Sequence, residues 1–288
     1  MTTQIEHNSV LRPLAWLKQS RNVASTIVPC DQFGFIDPDE IRRAIQPQTR
    51  LIVISHASNV TGALQDLSMI GAIVRDSPAK LLVDAAQSFG HFPIDVRKMN
   101  IDMLAASGHK GALGPLGTAF TFIDSTVGSE VAPLLHGGTG NQSELPTMPQ
   151  SMPWRHEAGN LNVPGIAGLM AALQWRKSNS IADQSTPLGN QLAERLRVLP
   201  NVRVIRDQSR THLPVVSIVI EGWEPTDVAS VLESNFGIQV RAGLHCAPRI
   251  HKAIDAPQGT VRLSLGRFNT QPHIDLAVEA ITQIATCQ

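Results

Sequence analysis

Three short apolar runs, each ending on a polar cluster, constrain this chain more than any other feature. They are Leu51-Ile52-Val53-Ile54, Lys80-Leu81-Leu82-Val83-Asp84 and Met103-Leu104-Ala105-Ala106. Runs this short, with no alternation of polar and apolar residues, fit strands buried on both faces. Helical stretches lie between them. Asp37-Pro38-Asp39-Glu40 opens one helix, with Asp37 as N-cap and Pro38 in the first turn. Leu67 to Val74 reads as another. The alternation predicts an α/β fold with a mostly parallel sheet under helices, and Ala119 to Ile123 adds a further strand.

The pattern changes near residue 175. Strands are expected at 202–205, 215–220 and 261–265, with helices at 225–233 and 274–284. The chain is therefore expected to divide into a large domain over 1–174 and a smaller α+β C-terminal domain over 175–288. A loop-rich stretch, 136–162, lies between the two patterns; such long irregular segments are usually functional or interfacial. The 24 basic and 24 acidic residues cancel, which favours neither nucleic acid nor an anionic membrane as partner. No apolar run approaches the roughly 18 residues of a spanning helix. Three unevenly spaced cysteines argue against a disulfide framework, and no metal-ligand spacing occurs. The expectation is a cytoplasmic enzyme acting on a small molecule.

Open parallel sheets bind ligands beyond the carboxyl ends of their strands. Three clusters fall there: Ser55-His56-Ala57-Ser58-Asn59, Asp84-Ala85-Ala86-Gln87 and Ser107-Gly108-His109-Lys110-Gly111. An Asp and a Lys in one crevice suit pyridoxal phosphate. Its aldehyde condenses with a lysine, and a carboxylate keeps its pyridine nitrogen protonated. Ser107 and His109 could hold phosphate oxygens. Taken singly, Asp84 also fits a strand-end cap, and Lys110 a solvated lysine.

Taken together, the clusters resemble the class V aminotransferases, fold type I of the pyridoxal enzymes, and among them the cysteine desulfurase and selenocysteine lyase group. The resemblance runs from Glu6-His7-Asn8-Ser9 to the C-terminal helix. Its other stretches are Ser55–Gly62, Val83–Gln87, Ser107–Lys110, Arg155–Gly159, Arg241–Ala247 and Gly259–Arg262. It implies that Lys110 carries the cofactor as a Schiff base and shuttles the substrate Cα proton. Asp84 would pair with the pyridinium, Gln87 would reach the phenolic oxygen, and His7 would stack on the ring. Ser107 and His109 would bind the phosphate, and Thr139 would reach the phosphate of a neighbouring subunit in a homodimer. Arg262 would fork onto the substrate carboxylate, with Asn59 beside it at the cofactor. Cys246 would take sulfur from L-cysteine as a persulfide and pass it to an acceptor protein, as in iron–sulfur cluster assembly. Read alone, Cys246 also fits a small buried hydrophobe, although nearby Arg241 and His245 would favour its thiolate.

The Glu-His-Asn-Ser stretch comes earlier than in the family, so an N-terminally truncated chain is expected, lacking the family's Gly/Thr phosphate cup and the first strands and helices of the large domain. Gly159-Asn160 also departs from the family's usual Gly-Thr. Two other readings stay open: another class V enzyme (a selenocysteine lyase, epimerase or aminotransferase), and a truncated non-enzymatic relative.

Overall fold

A computed structural model of the chain describes residues 1–179 and 184–287. The N-terminal part begins with strand β1 (Thr2–Thr3), helix α1 (Asn8–Arg21), β2 (Ile27–Val28) and α2 (Pro38–Ala44). Then come β3 (Leu51–Ser55), α3 (Leu67–Arg75), β4 (Lys80–Asp84), β5 (Met103–Ser107) and β6 (Ala119–Ile123). The four strands β3 to β6 form one sheet in that order. The first three are parallel, with Ser55 opposite Asp84 and Asp84 opposite Ala105. This register sets the ends of the three apolar runs side by side.

The expected sheet is present, with one difference: β6 runs antiparallel to β5. Parallel crossovers usually need a dozen or more residues and a helix, whereas residues 108–118 form only a tight turn. The two-stranded pair β1–β2 lies beside β3, where Val53 N donates to Met1 O at 3.0 Å. Helices α2 and α3 start on aspartates as the sequence predicts, Asp37 accepting from Asp39 N and Asp66 from Met69 N.

Helix α4 (Val163–Ser178) leads to α5 (Ser185–Arg197), β7 (Val202–Val204), β8 (Val215–Ile220) and α6 (Pro225–Phe236). The chain continues through β9 (Arg241–Gly243), α7 (Ile250–Ala253) and β10 (Thr260–Ser264) to α8 (Gln271–Thr286). Here the sheet is antiparallel, in the order β7-β8-β10-β9. Its own core gathers Leu192, Ile218, Leu232, Val261 and Ile281, all 1% exposed or less. A second core under β3–β5 is built on Ile52, Ile54, Ile70, Leu81 and Val83. Burying each such side chain contributes about 1.5–3 kcal/mol.

Helices α1, α5 and the short α7 go beyond the sequence reading. α1 carries Pro13 and buries no residue, so it gives no apolar stripe to read. α5 does bury Leu192, Ala193 and Leu196 at helical spacing, but Pro187 and Gly189 mask the pattern. Among the described residues no helix is long and apolar enough to cross a membrane.

Candidate active site

Hydrogen bonds and charge interactions bring the parallel strand ends and the small sheet together. On the first wall, Asp84 closes β4, and one of its carboxylate oxygens accepts from Ala86 N at 2.8 Å. The strand-end cap is thus real, and the same carboxylate acts electrostatically on Lys110 and His7. Gln87 is half-buried in the turn that follows. Ser107 closes β5 and donates to Ala86 O at 3.3 Å.

The tight turn after β5 needs its glycine. A Cβ on Gly108 would come within 2.2 Å of Thr118 Oγ1, while Gly108 N donates to Thr118 O at 2.8 Å. The turn presents His109 and Lys110 to solvent. Partial desolvation lowers the Lys110 ammonium pKa; Asp84 opposes that shift and Arg262 reinforces it.

His7 caps α1, its Nδ1 accepting from Ser9 N at 3.1 Å. Its pKa is lowered by desolvation and by Lys110, with Asp84 acting the other way and Arg12 adding to the fall. His7, Asp84, Lys110 and Arg262 therefore share one electrostatic neighbourhood.

The second wall comes from the small sheet. Arg262, on β10, donates from Nη1 to Asn59 O at 2.8 Å, while its buried Nε has no partner among the described residues. Burial, and then Arg241, lower its pKa. Asn59 donates from Nδ2 to His245 O at 2.7 Å. Cys246 is exposed in the turn after β9, and its carbonyl accepts from Asn8 N at 2.7 Å. That bond places the cysteine turn against the start of α1, one residue from His7. At the base of the turn the two backbones touch: a Cβ on Gly259 would come within 2.4 Å of Gly243 C, and Gly259 has φ +106°.

Thr139 is not brought to this cluster within the chain. Its hydroxyl donates to Asn141 O at 2.7 Å inside the loop. Cys30 is half-buried, and its thiol is pushed up to about 12 by burial and Asp31. Cys287 is exposed on α8's C-terminal cap. His56 is buried and pushed down to about 4 by desolvation, with an unpartnered Nδ1.

Glu6 had no role in the sequence reading. It is fully buried, accepting from Thr3 Oγ1 at 2.5 Å, Ser55 N at 3.0 Å and Ser55 Oγ at 2.7 Å. Burial pushes its pKa up to about 7; these hydrogen bonds oppose the shift and Asp84 adds to it. The signal for it was an acid immediately before His7, beside a strand end one register step from Asp84. Among the described residues no three His, Cys, Asp or Glu side chains gather as a metal site.

The model of the Aminotransferase class-V family matches residues 1–276. A probable cysteine desulfurase of Methanothermobacter thermautotrophicus is 36% identical over 289 residues, covering 98% of this chain and 72% of its own length. The cysteine desulfurase IscS of Methanosarcina thermophila is 32% identical, covering 99% and 69% respectively. Among solved structures, the apo cysteine desulfurase of Thermococcus onnurineus NA1 superimposes with a TM-score of 0.89 at 30% identity, over all of this chain and 72% of that one. Escherichia coli CsdA, a cysteine desulfurase solved as its S-sulfonic acid, gives a TM-score of 0.87 at 29% identity.

Proposed function

The chain belongs to the class-V aminotransferase family, and on that premise we propose that it is a pyridoxal-phosphate-dependent cysteine desulfurase. It converts L-cysteine to L-alanine and takes the sulfur onto Cys246. The observation that carries the reading is the bond from Asn8 N to Cys246 O, which sets the thiol's turn beside His7 on the Lys110 side of the fold.

The residues present fit the cofactor. A lysine of lowered pKa, a carboxylate and an imidazole act on one another, and a buried guanidinium nitrogen lacks a partner. Lys110 would hold the cofactor, Asp84 and Gln87 its ring polar atoms, His7 and Asn59 its surroundings, and Ser107 and His109 its phosphate. When bound, the cofactor supplies an electron sink for charge developing at the substrate Cα. Lys110 Nζ takes that proton and returns one to the product. Arg262 holds the substrate carboxylate. The Cys246 thiolate attacks the substrate sulfur; an S–S bond forms, the C–S bond breaks, and its electron pair leaves with the carbon skeleton, which is protonated to alanine. A thiol acceptor then takes the terminal sulfur from Cys246.

Large apolar side chains stand exposed on α1 (Trp16), on the 131–161 loop (Leu134, Leu135) and on α4 (Val163, Ile166, Met170). They support a homodimer in which Thr139 reaches the neighbouring site. The two sheet units are a large and a small domain dividing near residue 175, inside α4. The location is cytoplasmic, in keeping with three free cysteines. The test is Cys246→Ala: cysteine-dependent sulfide release, measured with a thiol reductant, falls to background. Unchanged release would sink the reading.

A further inference from the structure

Cys246 sits in a strained turn. His245 and Cys246 both lie in the left-handed region, at φ 51° and 57°. Two consecutive non-glycine residues keep that conformation only where their surroundings fix it. The surroundings here grip the turn one carbonyl at a time. Cys246 O accepts from Asn8 N at 2.7 Å. His245 O accepts from Asn59 Nδ2 at 2.7 Å. Both donors come from the N-terminal unit. The third carbonyl, Leu244 O, accepts from Ala247 N at 2.9 Å, which closes the turn on itself without anchoring it.

The His245 ring, with Nε2 2.9 Å from Thr260 Oγ1, and buried Ala247 hold the turn's flanks, and the anchor of the Leu244 carbonyl is His251. It is 1% exposed, on α7, with Nε2 3.1 Å from Leu244 O and Nδ1 3.2 Å from Ala256 O. Its neighbour Ile250 belongs to the core under β3–β5. The His251 ring therefore joins the turn to a fixed part of the molecule. A neutral imidazole carries one N–H, so it holds one of the two carbonyls at a time. The tautomer protonated on Nε2 is the one that grips the cysteine turn.

We propose that His251 is a positioning residue for Cys246, acting through an Nε2–H bond to Leu244 O that fixes the side of the turn neither Asn8 nor Asn59 reaches. The role deepens the reading of Cys246 as the sulfur-accepting thiol and rests on it for its catalytic meaning. It does not reach substrate. It keeps the thiol-bearing backbone in a left-handed conformation that would otherwise relax.

The test uses the full chain and does not depend on turnover. Three measurements are made on wild type, His251→Phe and His251→Gln: hydrogen exchange of residues 241–249 and of β8 (Val215–Ile220), iodoacetamide alkylation of Cys246, and alkylation of Cys30 and Cys287 in the same sample. Exposed Cys287 serves as the internal standard, and half-buried Cys30 reports global opening. His251→Phe fills the space without a donor and should speed exchange of the turn about tenfold, the size of one net buried hydrogen bond. It should also shift the Cys246-to-Cys287 alkylation ratio while Cys30 stays protected. His251→Gln, which keeps a donor, should bring both values back toward wild type.

An unchanged turn in folded His251→Phe overturns the proposal. So does loosening of β8 and Cys30 in parallel, since that marks a residue of general stability. Should His251→Phe not fold, the ring nitrogen shifts of wild-type His251 decide. A proton on Nε2 supports the latch, and a bare Nε2 overturns it. Failure of Cys246→Ala to abolish sulfide release would instead refute the desulfurase reading and leave these measurements untouched.

Discussion

The two walls of the candidate site are built by different means. The N-terminal wall takes its side chains from parallel strand ends, where register sets Ser55, Asp84 and Ala105 abreast, and from the tight turn bearing Lys110. The opposite wall puts Arg262 on an antiparallel strand and Cys246 on a turn gripped at three successive carbonyls. The first arrangement suits a permanent group, because strand ends cannot shift without breaking the sheet. The second suits a thiol that, on the proposed reading, meets a substrate and then an acceptor. The largest expected effect separates the walls. Lys110→Ala should remove cofactor retention and lower sulfide release by at least the roughly 10²–10⁴-fold contributed by a positioned proton carrier. Cys246→Ala should retain the cofactor absorption band. If Lys110→Ala still fixes cofactor under borohydride, as shown by peptide mass, the division between the walls is wrong.

Packing gives a second contrast. The small sheet is sheathed by α5, α6 and α8 around its own core, whereas α4 buries only Gly165 and Leu169. Ile218 is 0% exposed and Ile166 is 49% exposed. Ile218→Ala should cost about 2–5 kcal/mol, and Ile166→Ala less than about 0.5 kcal/mol if its face is open to solvent, both read from urea unfolding of the protein in its native assembly state. A comparable loss at both positions would mean that α4's outer face is covered in solution, which would favour the dimer.

Much of this was legible in the sequence, for identifiable reasons. Unbroken apolar runs reveal buried strands, and the ligand rule for parallel sheets then places Asp84 and Lys110 together. The antiparallel direction of β6 was legible only in the shortness of the 108–118 connection, since the residues of the strand itself do not encode direction. α1 was hidden because it buries nothing. His251 carries no local signature, and Glu6 has none beyond its place directly before His7. Their significance lies in partners 49 residues away at Ser55 and on a different turn at Leu244, and only tertiary structure brings those together.

Titration should sharpen the contrast between the walls, since their buried groups shift stability in opposite directions. Glu6 rises from an ordinary 4.5 to about 7, so the folded state binds its proton more tightly than the unfolded chain does. Its stabilisation is complete below pH 4.5 and is lost as pH rises through about 7, a change of about 3 kcal/mol. His245 falls to about 4 through burial, with Arg262 and His251 adding to the fall. Its stabilisation is present above about 6.5 and is lost as pH drops toward 4. Glu6→Gln should remove the alkaline decline between pH 4.5 and 7 and leave the acid decline in place. Superimposable wild-type and Glu6→Gln stability profiles would show that Glu6 does not titrate in this range.

The smallest effect concerns how helices begin in the two units. Helix α3 starts on Asp66, whose side chain accepts from Met69 N at 2.9 Å. That bond satisfies one of the amides a helix N-terminus leaves open. Helix α6 starts on Glu224, which makes no such bond and relies on Pro225 in its first turn. Asp66→Ala should therefore cost about 1 kcal/mol, and Glu224→Ala no more than a few tenths. The strand that follows α3 is β4, which ends on Asp84. A frayed α3 should thus also slow cofactor uptake, whereas an altered α6 start should not. Equal losses at the two caps would mean that α3 is held by its buried face alone, through Leu67, Ile70 and Val74, and that the strand ends need no help from the helix in front of them.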